Sequence, residues 1–161
     1  MRMALFQPDI PQNVGGAIRL TACFGVSLEV ILPCPFPLDD RSLKRAALDY
    51  GPLGHLIVRE SWDDFRAAPE RGEGRLVLFT TMAAEPLHTF SFAPGDTLLF
   101  GRESAGAPDY VHAAANARLF IPIRSETRSL NLVCAASIGL VEALRQTGGL
   151  PVRAELLGGA S

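Results

Sequence analysis

Apolar and polar positions along the chain fall into two alternating patterns. Short unbroken apolar runs at residues 3–6, 28–32, 55–58, 75–80, 97–100 and 119–123 predict strands. Between them the spacing becomes helical. Over residues 14–24, Ala17, Leu20, Thr21 and Phe24 share one face, with Asn13 as the expected N-cap and Gly25 as the stop. Asp39 and Asp40 open a helix to about Tyr50, closed by Gly51-Pro52. Ser61-Trp62-Asp63-Asp64 starts a short helix ending before Pro69. Pro108 begins another, to about Ala115. The last helix is expected over 130–146, capped by Ser129 and stopped by Gly148-Gly149-Leu150-Pro151. The stretch holding Pro86 and Pro94 reads as irregular.

Strands that are apolar throughout, rather than at every second residue, have both faces covered. With helices between them, they predict an α/β fold: a mostly parallel sheet flanked by helices. In such sheets ligands bind beyond the carboxyl ends of the strands. The loops at Thr80-Thr81, 101–106 and 124–129 should therefore converge on one site. No linker or repeat interrupts the pattern, so residues 1–151 are expected to form a single domain and 152–161 a flexible tail.

Composition narrows the function. The 161 residues are 48% apolar and 20% charged, enough for one sizeable core. No apolar run reaches the roughly 18 residues of a membrane span, and the N-terminus turns polar too early for a signal peptide. The expected location is the cytoplasm. The cysteines at 23, 34 and 134 and the histidines at 55, 88 and 112 are too scattered for a disulfide framework or a metal site. The net charge of −2 gives no global attraction for nucleic acid, so any RNA contact must be a local basic patch.

The stretch Phe100-Gly101-Arg102-Glu103-Ser104-Ala105-Gly106-Ala107-Pro108 invites two false readings. A nucleophile elbow needs glycine where Arg102 stands. A phosphate loop needs lysine and a hydroxyl after Gly106, where Ala107 and Pro108 follow.

Taken with two other segments, the stretch acquires a meaning. Pro11-Gln12-Asn13-Val14-Gly15-Gly16-Ala17-Ile18-Arg19 precedes it, and Ile121-Pro122-Ile123 leading to Ser129-Leu130-Asn131-Leu132 follows. In this order the three resemble the SPOUT class of RNA methyltransferases, SpoU type. The start, Leu5 to Asn13, and Asp39 to Tyr50 are similar to the small tRNA wobble-position 2′-O-methyltransferases. The similarity covers about residues 3 to 150.

The resemblance implies a SPOUT fold with a C-terminal trefoil knot, and a homodimer with the first and last helices across its interface. It implies S-adenosylmethionine as methyl donor, no metal, and the ribose 2′-hydroxyl of wobble nucleotide 34 of leucine tRNAs, cytidine or modified uridine, as acceptor. Alternatives are the same chemistry on another RNA, or a donor- and RNA-binding module without turnover. By resemblance, backbone groups around Phe79, Thr80, Gly101, Ile121, Ser129 and Leu130 contact the donor. Arg19, Glu103 and Asn131 are the implied catalytic residues. A guanidinium rarely gives up its proton, so Arg19 is expected to orient the acceptor hydroxyl and a neighbouring phosphate. Glu103 is expected to fix basic groups such as Arg19, and Asn131 to organise the pocket. Arg41, Lys44 and Arg45 share one helix face as a candidate tRNA patch, joined by Arg124 and Arg128 beside the last loop. Where relatives often carry a basic residue, this chain has Ala105.

Overall fold

The computed structural model describes residues 1–38, 41, 45, 47, 55–69 and 72–152. Within them one parallel sheet is built from β1 (Arg2–Phe6), β2 (Ser27–Ile31), β3 (Leu56–Arg59), β4 (Leu76–Phe79), β5 (Glu85–Pro86), β6 (Thr97–Phe100) and β7 (Ala117–Phe120). The strand order is β3-β2-β1-β6-β4-β7-β5, every pairing parallel. The α-helices with described bounds are α1 (Pro11–Phe24), α2 (Trp62–Ala67), α3 (Asp109–Ala114) and α4 (Leu132–Thr147). None of the described helices is long and apolar enough to cross a membrane.

Alternate residues of each strand enter different cores, which is why the apolar runs are unbroken. Met3, Leu5, Val77, Phe79, Leu98 and Phe100 join Val14, Ala17 and Ile18 of α1 and Ala136, Leu140 and Ala143 of α4. Ala4, Phe6, Leu76, Leu78 and Leu99 point the other way, to Phe65 of α2 and Val111 of α3. Glu29 interrupts this rule inside β2. Fully buried, it is held by Arg59 of the neighbouring strand at 2.6 Å.

Several boundaries differ from expectation. Helix α1 starts at Pro11, with Ile10 as N-cap and no side-chain cap. Proline costs nothing at the first helical position, and Asn13 is then free to act elsewhere. Strand β7 covers 117–120 rather than 119–123, so residues 121–123 leave the sheet. Helix α4 is capped by Asn131 instead of Ser129: its Oδ1 accepts from Val133 N–H at 2.8 Å and Cys134 N–H at 3.4 Å. The two-residue β5 was not expected from the sequence. The stop at Gly25 is present, with φ of 65°, and Ser61 caps α2 through Asp64 N–H at 3.0 Å. Most of the helix expected over 39–50 lies outside the described residues, as do residues 153–161. Arg41, Arg45 and Ala47 are helical, the arginines exposed and the alanine buried.

Helix α4 crosses the sheet at Gly139. A Cβ there would stand 2.6 Å from Cζ of Phe79, so the ring would have to shift out of its stack on Phe100, 4.7 Å away. Gly139→Ala is expected to cost about 1–3 kcal/mol, visible as a lower denaturant midpoint. An unchanged midpoint would mean that the helix floats free of Phe79.

Candidate active site

The sheet winds in two directions from β1: towards β2 and β3 on one side, towards β6, β4 and β7 on the other. Loops on the two sides separate at such a switch and leave a crevice beyond the carboxyl ends of the strands. The crevice here is a cleft of about 800 Å³. Its walls are the loops after β4, β6 and β7 together with Ile10 and Asn13 after β1. All three loops expected to converge do so.

The six residues expected to meet the donor, Phe79, Thr80, Gly101, Ile121, Ser129 and Leu130, all line this cleft. Phe79, Phe100, Leu119 and Leu132 give it an apolar floor. Ile121 and Ile123 reach the wall because β7 ends early at Phe120.

Gly101 opens a loop that doubles back on itself. Arg102 N–H donates to Gly106 C=O at 2.9 Å, and Gly106 N–H returns a bond to Arg102 C=O at 2.8 Å. A Cβ at position 101 would stand 2.6 Å from the carbonyl carbon of Gly106 and 2.7 Å from the nitrogen of Ala107. The close approach that requires glycine is thus made by the loop's own return strand.

A chain of side chains links the three motif segments. The Glu103 carboxylate accepts from Asp9 N–H at 2.7 Å and from Asn13 Nδ2 at 2.8 Å. Asn13 Oδ1 accepts from Asn131 Nδ2 at 3.1 Å, and Asn131 in turn caps α4. Beside it, Asp9 accepts from Arg102 Nη2 at 2.8 Å and from Ser104 N–H at 3.0 Å and its hydroxyl. Glu103 and Asn131 are therefore joined through Asn13, with Glu103 serving the β1–α1 turn.

Burial works to raise the Asp9 pKa, but hydrogen bonds from Arg102 and Ser104 outweigh it and hold the carboxyl below its ordinary value. A depressed folded-state pKa contributes stability above the unfolded value, lost as pH falls through the folded one. Asp9→Asn should lower the melting temperature at neutral pH, and the gap from the parent should shrink below about pH 4. A gap independent of pH would show that the charge of Asp9 is immaterial. Half-buried Cys34 is pushed up to about 11, first by burial and then by Glu103 and Asp9, so it stays a thiol at neutral pH and is no nucleophile.

The basic residues divide. Arg124 and Arg128 line the cleft and are exposed; Arg124 is 3.5 Å from Glu126. Arg41 and Arg45 are exposed but outside the cleft lining, and Lys44 lies outside the described residues. Arg19 is exposed on α1 and is also absent from the lining. Sequence reasoning missed Asn13, Asp9 and Arg102. Pro11 was the available signal: proline at the first helical position moves the helix start forward and frees Asn13 from capping.

The chain is similar to known proteins over most of its length. The model of the SpoU rRNA Methylase family matches residues 1–141. A tRNA (cytidine(34)-2′-O)-methyltransferase from Beijerinckia indica is 50% identical over 148 residues, 92% of each chain. A solved structure described by the 2-OH methylation of C/U34 on tRNA superposes with a TM-score of 0.85 at 41% identity, over 90% of this chain and 94% of that one. An AdoMet-bound rRNA methyltransferase from Sinorhizobium meliloti gives a TM-score of 0.81 at 25% identity, over 89% of this chain and 55% of that one.

Proposed function

The chain belongs to the SpoU rRNA Methylase family, and from that premise we propose that it transfers a methyl group from S-adenosylmethionine to the ribose 2′-hydroxyl of wobble nucleotide 34 of tRNA. The observation that carries this is the single cleft in which all three motif segments meet, in a chain 50% identical to a tRNA (cytidine(34)-2′-O)-methyltransferase. Leucine tRNAs are the substrates, carrying cytidine or a modified uridine at that position, and the enzyme works in the cytoplasm as one domain over residues 1–151.

The residues present fit the donor. An apolar floor of Phe79, Leu119 and Leu132 suits an adenosyl group, and Thr80, Gly101, Ile121, Ser129 and Leu130 line the same cleft, where their main-chain groups would hold its polar edges. When bound, the sulfonium supplies an already activated methyl group. What this chain must do is place the acceptor oxygen in line with it. Glu103 and Asn131, joined through Asn13, keep the β1, β6 and β7 loops in register around that line. Arg19 donates to the acceptor hydroxyl and stabilises the charge that develops there.

Arg19 stands outside the cleft of its own chain, so a second copy brings it to the reaction. Cys134, Ile138 and Val141 form an exposed stripe at i, i+4 and i+7 on α4, with Ile138 42% and Val141 39% exposed. Helix α1 packs directly on α4, Val133 lying against Gly16. A homodimer through this pair of helices covers the stripe and carries Arg19 to the partner's cleft. The trefoil knot belongs to the same proposal: β7 lies between β4 and β5, and the chain then returns to lay α4 on Phe79.

Equilibrium binding of S-adenosylmethionine followed by transfer to total tRNA tests the reading. Binding and transfer together are expected. Binding without transfer to any RNA would instead mark a module that holds donor and RNA without turnover.

A further inference from the structure

Of the three arginines lining the cleft among the described residues, Arg102 is held at both its ends, by Gly106 and by Asp9. Its backbone is pinned to Gly106 by two hydrogen bonds of 2.9 and 2.8 Å. Its Nε and Nη2 donate side-on to the same oxygen of Asp9, at 3.2 and 2.8 Å. The other Asp9 oxygen is occupied by the Ser104 amide and hydroxyl, so the carboxylate cannot turn without breaking those bonds. By contrast, Arg124 is 85% exposed and pairs with a Glu126 that is itself 70% exposed.

The bonds to Asp9 occupy one edge of the guanidinium. Among the described residues nothing engages Nη1, so the end-on fork of Nη1 and Nη2 keeps free donors, on a side chain 36% exposed. Arg102 lines the same cleft as its chain neighbours Gly101, of the proposed donor wall, and Glu103, which is tied through Asn13 to Asn131. An internal ribose 2′-hydroxyl always has a phosphodiester on the adjacent carbon. A site that brings this hydroxyl to the donor must therefore house an anion close by. A planar fork matches two phosphate oxygens, and one that is already oriented loses little entropy on binding.

We propose that Arg102, pre-oriented by Asp9, binds the phosphodiester beside the acceptor ribose and so positions the RNA strand in the cleft. The proposal rests on the methyltransferase reading above and deepens it. Asp9 partly cancels the charge of Arg102, so recognition depends on the shape of the fork more than on attraction at a distance. A lysine that keeps the charge should therefore substitute poorly.

The test measures tRNA affinity by gel shift, tRNA KM and kcat by methyl transfer, and donor affinity by calorimetry, for the parent, Arg102→Met and Arg102→Lys. Arg102→Met is expected to weaken tRNA binding and raise its KM about tenfold, with kcat within about twofold and donor affinity unchanged. The slope of log affinity against log salt should fall by up to about 1, as for one lost phosphate contact. Arg102→Lys, which keeps an ion pair with Asp9 and guards against loss of fold, should recover less than half of the lost affinity. Unchanged tRNA affinity and salt slope in both variants would overturn the proposal, as would a loss of donor affinity equal to that for tRNA. If the parent binds tRNA with the expected dependence on Arg102 but transfers no methyl group, the methyltransferase reading fails and the phosphate contact stands.

Discussion

Arg19→Ala is expected to slow methyl transfer by about 10²–10³-fold, the usual effect of removing one donor aimed at a developing oxyanion. Donor affinity should not change, because Arg19 lines no part of the cleft in which Phe79, Thr80 and Gly101 lie. The substitution leaves the core intact, since the side chain is exposed on α1. Single-turnover transfer with saturating tRNA separates this effect from binding. The proposed dimer offers a second readout. If Arg19 acts in the partner's cleft, mixing Arg19→Ala with a variant defective only in donor binding restores activity in hybrid dimers. Full activity of Arg19→Ala alone would remove the residue from the mechanism.

Gly101→Ala should act in the opposite way, destroying the donor site while leaving Arg19 untouched. The added methyl would stand 2.6 Å from the Gly106 carbonyl carbon and 2.7 Å from the Ala107 nitrogen, both backbone atoms. Neither can withdraw without breaking the reciprocal bonds between Arg102 and Gly106. The loop must open, and it carries Glu103 with it, so the contacts to Asp9 and Asn13 are lost as well. A fall in donor affinity of more than about tenfold is expected, with a stability loss of about 1–3 kcal/mol. Calorimetric titration of the donor and a denaturant melt read the two effects separately. Normal donor binding by Gly101→Ala would show that the β6 loop does not shape the site.

The architecture was legible because it is written in periodicity. Continuous apolar runs such as Leu76–Phe79 and Thr97–Phe100 require cover on both faces, and both cores are present. The convergence of three loops followed from the parallel sheet alone. The chemistry was less legible, because polar side chains serve several ends that local sequence does not separate. Asn13 and Asn131 show this. Both are residue types favoured at helix starts, yet Asn13 bridges Glu103 to Asn131 while Asn131 caps α4 and reaches back to Asn13. Asp9 and Arg102 lie 93 positions apart, and no pattern along the chain pairs them. The apolar pattern alone assigns Ile121 to the last strand; it reaches the cleft wall because β7 stops at Phe120.

The most direct test of the function is to locate the product. The protein, labelled S-adenosylmethionine and tRNA from cells lacking wobble 2′-O-methylation should yield one labelled nucleotide. The expected result is a 2′-O-methylated ribose at position 34 of leucine tRNAs. Label at any other position, or on a base rather than a ribose, would contradict it.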